Sequence, residues 1–205
     1  MNPLKIGYTL RTGTTGFVAG CPVSQMGLPS LGALINVPLA DEYSVFGLIH
    51  DIHIADDGLV RQLVTVDNIS AEVIKDNRER RIIPMEMSVV TVGWEKDGKI
   101  SYLLPPKPPL SLDVIHLCSD DELVRFTGAG NFGYIRHILR NNELPTGEIL
   151  AAHLQQAGTA HDLKGKTSWW DEATRELIKL LRDDYSTLME VLSTLGDSQL
   201  GNKND

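Results

Sequence analysis

The stretch Leu104-Pro105-Pro106-Lys107-Pro108-Pro109-Leu110-Ser111-Leu112 divides the chain into two unlike halves. Proline lacks a backbone N–H and fixes φ, so a run with four prolines continues neither a helix nor a sheet. We expect a stiff, extended connector in the polyproline II conformation. Strand-like patterns dominate before this connector, and helix-like patterns dominate after it.

Charge and hydropathy exclude several classes of protein. The 205 residues carry a net charge of −8, with fifteen acidic against nine basic residues after Leu112. Neither half has the basic surface that displaces counterions from phosphates, so direct binding of nucleic acid is disfavoured. No apolar run reaches the roughly 18 residues of a membrane span, and no signal-type apolar segment follows the first residues. We expect no membrane partner.

Two cysteines, Cys21 and Cys118, lie in different halves and form no CxxC pair. This usage is typical of reduced, structural thiols rather than of a disulfide framework. A cytoplasmic location is therefore expected.

The first half alternates short apolar runs with turn signals, which is typical of an antiparallel sheet. Asp97-Gly98 is a strong hairpin signal between two strands, and several strands contain glycines that mark bends. Between Leu59 and Arg81 the period changes and indicates inserted helical segments. We predict an α+β protein in which residues 1–112 form a small closed antiparallel β-barrel.

The second half is predicted to be a helical extension over residues 113–195, followed by a disordered tail at 196–205. Ser119 and Glu122 form a capping box for a first helix. Gly158 is expected to stop a later helix that begins at Thr146. A long last helix is predicted from Ser168, capped with Asp171, to about Leu195.

That last helix has a broad apolar face for which the extension offers little cover. We therefore predict that it contributes to an interface, with anchors at Trp169, Trp170, Leu177, Leu181, Tyr185 and Leu188. For the tryptophan pair, packing in the local core is the competing interpretation.

Two glycine-rich segments resemble nucleotide-binding motifs in their residue pattern. Gly128–Gly133 matches GxGxxG, and Ala160–Thr167 resembles a P-loop with alanine in place of the first glycine. Both motifs require a preceding strand, whereas helices are predicted before each segment. We therefore expect two loops and no bound cofactor.

His50, Asp51 and His53 are the best candidates for metal ligands. In a regular strand Asp51 and His53 share one face while His50 lies on the other. Two ligands on one face are too few for a closed zinc site. We therefore expect no metal and, since no serine or cysteine lies in a nucleophile motif, no enzymatic activity.

The pattern through Gly47–Ile52, Val60–Leu63, Ile83–Trp94 and Leu103–Pro106 resembles the HAS-barrel family. These barrels lie at the N-terminus of HerA-type DNA-translocating ATPases and of the catalytic-head subunits of rotary ATP synthases. The resemblance covers about Leu4 to Leu117, and we do not expect the residues after it to form the ATPase domain that follows in those families. It implies a barrel that packs side by side in an oligomer and offers a docking face.

The sequence thus favours a non-enzymatic oligomerisation or adaptor protein that forms a homo-oligomer. The alternative is an accessory subunit of a HerA-like DNA-processing machine or another ATPase machine, with an ATPase or a nuclease as its protein partner.

Overall fold

The computed structural model describes residues 4–22, 29–54, 68–73, 84–141 and 144–201. The strands in these ranges are β1 Leu4–Thr12, β2 Gly16–Pro22, β3 Leu34–Leu39, β4 Tyr43–Ile54, β5 Pro84–Lys96, β6 Lys99–Ser101 and β7 Val114–Leu117. The helices that follow are α1 Asp120–Gly128, α2 Ile135–Leu139, α3 Thr146–Leu163, α4 Trp169–Leu180 and α5 Tyr185–Gly201. The predicted α+β class is confirmed.

Six strands close into an antiparallel barrel in the order β2-β1-β7-β3-β4-β5, and β2 pairs with β5 to complete the circuit. The first part of β5 pairs with β2, whereas its end forms the predicted hairpin with β6. Asp97 and Gly98 both have positive φ in this turn, as a two-residue hairpin turn requires. The closed barrel predicted from the strand pattern is confirmed.

The strand that completes the barrel lies after the proline connector. β7 pairs with β1 on one side and with β3 on the other, both antiparallel. The barrel therefore extends to Leu117, beyond the boundary at residue 112 that the sequence indicates.

The connector runs beside the end of β1. The Thr9 hydroxyl donates a hydrogen bond to the Leu110 carbonyl, and the Leu112 N–H donates to the Thr9 carbonyl at 2.8 Å. The Asp113 carboxylate accepts from the Leu110 N–H at 2.7 Å. Residues 102–113 contain no helix or strand, as the prolines require.

Apolar side chains form two cores, one on each side of the barrel wall. The inner core fills the barrel and includes Ile35, Val45, Ile49, Met87 and Ile115, all essentially inaccessible to solvent. The outer core lies between the helices and the outward side chains of β3, β4 and β5, which are Leu34, Phe46, Leu48, Val90 and Val92. Burial of each such side chain stabilises the fold by about 1.5–3 kcal/mol. The helices therefore cover one side of the barrel.

Helix α1 begins with the predicted capping box. Ser119 Oγ accepts from the Glu122 N–H, and a Glu122 carboxylate oxygen accepts from the Ser119 N–H at 2.9 Å. The other carboxylate oxygen accepts from the Asn36 amide at 2.7 Å. The cap therefore also fastens α1 to β3.

Gly158 does not end α3, which continues to Leu163 and corrects the expected stop. A Cβ at Gly158 would lie 2.2 Å from Cε2 of the Trp170 indole. Gly158 therefore allows α3 and α4 to approach closely and does not end the helix.

The single long helix predicted from Ser168 to Leu195 is wrong, since residues 181–184 separate α4 from α5. Asp184 caps α5, because its carboxylate accepts from the Thr187 N–H at 3.1 Å and from the Thr187 hydroxyl at 2.7 Å. Helix α5 then runs to Gly201, through part of the segment for which the sequence indicates disorder. The Ser168 side chain makes no capping hydrogen bond to the backbone of α4.

The inserted segment between Leu59 and Arg81 is described only over 68–73, where residues 71–73 are helical. Val60–Leu63, part of the HAS-barrel resemblance, lies outside the described residues. Across the described ranges, no helix combines the length and the apolar character needed to cross a bilayer.

Candidate functional site

A β-bulge at His50 shapes the outer surface of β4. Ile49 pairs with Val89 and Asp51 pairs with Ser88, so His50 is an extra residue in the ladder. Ile49 lies in the inner core and Ile52 packs against the same core. Both residues between them therefore lie outside the barrel. The expectation that His50 faces away from Asp51 is wrong because the bulge breaks the two-residue alternation.

His50 lines an open pocket of about 420 Å³ at the turn between β1 and β2. Its polar lining consists of one guanidinium, one imidazole, three hydroxyls and one amide, from Arg11, His50, Thr12, Thr15, Ser88 and Asn141. Among the described residues that line it, none carries a carboxylate. Burial lowers the pKa of His50, which favours the neutral imidazole.

Asp51 and His53 lie beside this pocket in a small charged cluster on the outer surface. His53 Nδ1 is 3.5 Å from the Asp51 carboxylate, and its Nε2 is 3.6 Å from Glu86. Glu86 is also 3.6 Å from Arg11 Nη2. Within the described ranges, no group of three or more His, Cys, Asp or Glu side chains is arranged to hold a metal ion.

A second and larger groove, of about 940 Å³, lies at one end of the barrel. The turn between β3 and β4, the end of β5 and the proline connector form its walls, which include Pro38, Tyr43, Trp94, Pro106, Pro108 and Leu110. The Tyr43 and Trp94 rings lie 5.7 Å apart, and the Tyr43 hydroxyl donates to the Lys107 carbonyl at 3.5 Å. Trp94 Nε1 is buried and has no hydrogen-bond partner among the described residues. The groove thus has apolar and aromatic walls.

A third surface is the outer side of β1 with the adjoining connector, which we call the β1 face. It is formed by Tyr8, Leu10, Leu110 and Leu112. Leu110 and Leu112 are 71% and 72% exposed, and Tyr8 and Leu10 are 42% and 36% exposed. Hydrogen bonds between the connector and Thr9 and Leu10 hold the connector beside β1. The helices pack over the opposite part of the barrel, so they leave this face open.

Most of the predicted helical anchors are covered by the chain itself. Trp169, Leu177 and Leu181 are buried in the outer core, and the Trp169 indole stacks on His161 with ring centroids 4.6 Å apart. Trp170 is partly buried against Gly158. For the tryptophan pair the structure therefore favours local packing.

The remaining two anchors lie on α5. Tyr185 is 71% exposed and Leu188 is partly buried. Met189, four residues after Tyr185, is also exposed, which leaves an apolar strip on the outer surface of this helix.

The two glycine-rich segments form turns between helices, as expected from their context. Gly128–Gly133 connects α1 to α2 and packs on Tyr102, whose hydroxyl donates to the Phe126 and Ala129 carbonyls. Ala160–Thr167 covers the end of α3 and the turn before α4. Within it, His161 Nε2 is 2.8 Å from the Thr127 hydroxyl, in a contact that joins α3 to α1.

Sequence reasoning missed the pocket, the groove and the β1 face. The bulge that turns His50 outward depends on pairing with β5, for which the chain shows no local signal. The prolines did mark the connector, but its position beside β1 depends on a distant strand. No protein-family model matches the chain, and a search of the curated proteins finds no match.

Proposed function

We propose that this protein is a non-enzymatic oligomerisation or adaptor module built on a HAS-like barrel. The closed antiparallel barrel is compatible with that family, and the resemblance implies barrels that pack side by side. The two free cysteines, Cys21 and Cys118, agree with a reducing compartment such as the cytoplasm.

The observation that supports this proposal most directly is the open β1 face. Four large apolar side chains are exposed there, on β1 and on the connector that is hydrogen-bonded to it, and exposed apolar surface marks sites of protein interaction. An oligomer contact would remove this surface from water without disturbing the helices on the other side of the barrel.

We propose a second copy of the chain as the occupant of the β1 face, in a head-to-tail contact. Lys5 and Arg11 flank the face on β1, and Lys107 belongs to the connector. The segment after Leu112 carries the acidic excess of the chain, and Tyr185 and Met189 offer apolar area on α5. Opposite charges and two apolar strips make the faces complementary, and a head-to-tail contact gives a ring where the rotation between copies closes and a filament where it does not.

The test is the mass of the full chain in solution, measured by light scattering after gel filtration. We expect an oligomer for the unmodified protein and a smaller species for the double variant Leu110→Asp, Leu112→Asp. Asp tolerates the positive φ of residue 112, so the fold should persist. Leu163→Asp is the matched control, because Leu163 is also 72% exposed but lies at the end of α3.

Tyr185→Ala should reduce the mass in the same way if the contact is head-to-tail. A monomeric unmodified protein, or an equal loss of mass in the Leu163→Asp control, would contradict the proposal.

The aromatic end groove favours a second candidate, the accessory subunit of a HerA-like or other ATPase machine. Tyr and Trp are frequent anchors of protein interfaces. Under this candidate, a HerA-type ATPase or a nuclease co-purifies with the full chain from native extract and is lost with Trp94→Ala. Retention by the variant would exclude the groove as the docking site.

A further inference from the structure

We propose that the pocket at His50 binds a small phosphate-bearing molecule. The pocket shares Arg11 with the flank of the β1 face, but its other polar lining residues belong neither to that face nor to the end groove, and ligand binding is measured separately from oligomer mass. Four features carry the inference: the charge of the lining, the set of donors, the way the bulge places His50, and the size of the pocket.

The lining is positive in a chain that is acidic overall. Arg11 is the one charged side chain among the described residues that line the pocket, and the chain has a net charge of −8. Among the described residues, the carboxylate paired with Arg11 is that of Glu86, at 3.6 Å. That distance exceeds a hydrogen bond, so the guanidinium N–H groups keep their capacity to donate to a ligand. An anion is therefore the complementary occupant.

The number of donors selects phosphate over carboxylate. Arg11 offers a planar fork of N–H groups, His50 offers an imidazole N–H, and Thr12, Thr15 and Ser88 offer hydroxyls. A carboxylate has two oxygen atoms, whereas a terminal phosphate has three oxygens that accept several hydrogen bonds each. Arginine is also well suited to bidentate contact with phosphate.

The backbone around the pocket is fixed by the barrel. The His50 bulge sits in the β4–β5 ladder, and bulges commonly re-aim a side chain beside a site. At Gly16 a Cβ would lie 2.5 Å from the Val89 carbonyl oxygen, so the start of β2 approaches β5 more closely than any other residue allows. The backbones of Arg11, Thr12, His50 and Ser88 are therefore held by paired strands before a ligand arrives, and Thr15 lies in the turn between β1 and β2. The volume of about 420 Å³ falls within the usual range for small-molecule sites.

The experiment is isothermal titration calorimetry on the full chain with inorganic phosphate and pyrophosphate. Ionic strength is matched with sodium chloride, and succinate serves as the carboxylate probe. We expect saturable binding of at least one phosphate probe and at least tenfold weaker binding of succinate. Equal affinity for succinate would overturn the choice of phosphate, and absence of saturable binding would overturn the site.

Arg11→Gln should weaken binding at least tenfold, because charge-assisted hydrogen bonds are lost. Arg182→Gln is the matched control: the two arginine side chains are 77% and 76% exposed, and each is paired with one carboxylate. Ser88→Ala should weaken binding less than Arg11→Gln while it leaves the melting temperature unchanged. Unaltered affinity for the phosphate probe in Arg11→Gln, or an equal loss of affinity in Arg182→Gln, would contradict the proposal.

Discussion

A methyl group added at Gly158 would lie 2.2 Å from the Trp170 indole, which is closer than two carbon atoms approach. We expect Gly158→Ala to destabilise the protein by about 1–3 kcal/mol through overpacking, although alanine is the better helix former. Gly196→Ala in α5 is the matched control, since nothing lies within 4 Å of its added methyl group. That change should stabilise the protein by up to about 1 kcal/mol. Urea unfolding of both variants tests this, and a stabilised Gly158→Ala would contradict the close contact.

His153 links three elements from a fully buried position. Its Nδ1 is 3.0 Å from the Gly32 carbonyl, and its Nε2 is 3.2 Å from the Tyr134 hydroxyl. Nδ1 therefore donates to the carbonyl, and Nε2 accepts from the tyrosine. Burial lowers the pKa of His153 from 6.5 to about 4 in the folded chain.

The unfolded chain thus binds a proton at His153 between pH 6.5 and about 4 that the folded chain does not bind. The stabilisation of the folded chain by neutral His153 is complete above pH 6.5 and is lost as the pH falls toward 4. The loss amounts to about 3 kcal/mol of unfolding free energy. His153→Asn keeps a donor near Gly32 but does not titrate, so its unfolding free energy should vary less with pH over this window. The same pH dependence in both proteins would show that His153 is not responsible.

At the scale of elements, the two serines before α1 and α4 make a matched pair. Ser119 caps α1 through the capping box, whereas Ser168 makes no capping bond to α4. We expect Ser119→Ala to lower the unfolding free energy by about 1 kcal/mol and Ser168→Ala to have a smaller effect. Chemical denaturation of both variants provides the comparison, and equal losses would argue against the cap at Ser119.

The break between α4 and α5 shows a limit of prediction from local sequence patterns. Apolar residues at three- and four-residue spacing continue through Leu177, Leu181 and Leu188, so the sequence predicts one helix. Asp184 instead starts a new helix, and its hydrogen bonds to Thr187 lower the pKa of its carboxyl group. A second Asp directly before it, Asp183, is a weak helix former. The spacing predicts these leucines as interface anchors, whereas Leu177 and Leu181 are buried in the outer core and Leu188 is partly buried. It also could not show that a break separates Leu177 from Leu188.

For the whole molecule, β7 is the strand on which closure depends. A fragment of residues 1–112 lacks β7, so β1 and β3 lose their shared neighbour and the barrel opens. We expect this fragment to show no cooperative thermal unfolding by circular dichroism. A fragment of residues 1–119 keeps every barrel strand and should regain strand signal, yet aggregate, because Phe46 and Leu48 lose their helical cover. A cooperative transition in the shorter fragment would contradict this account.

The sequence by itself determined the features that depend on neighbouring residues. Asp97-Gly98 specified the hairpin, Ser119 and Glu122 specified the helix cap, and the prolines of 104–112 excluded regular structure there. These signals act over a few residues, through φ preferences and local hydrogen bonds, so they can be recognised in the sequence.

Only the tertiary structure decided how distant segments meet. The pairing of β7 between β1 and β3, the bulge that turns His50 outward, and the contact of Gly158 with Trp170 each involve partners far apart in the chain. Barrel closure fixes the strand register, and packing of the helices on β3, β4 and β5 fixes which apolar side chains remain exposed. The His50 pocket and the β1 face exist for that reason, since each is assembled from strands that only the closed barrel brings together.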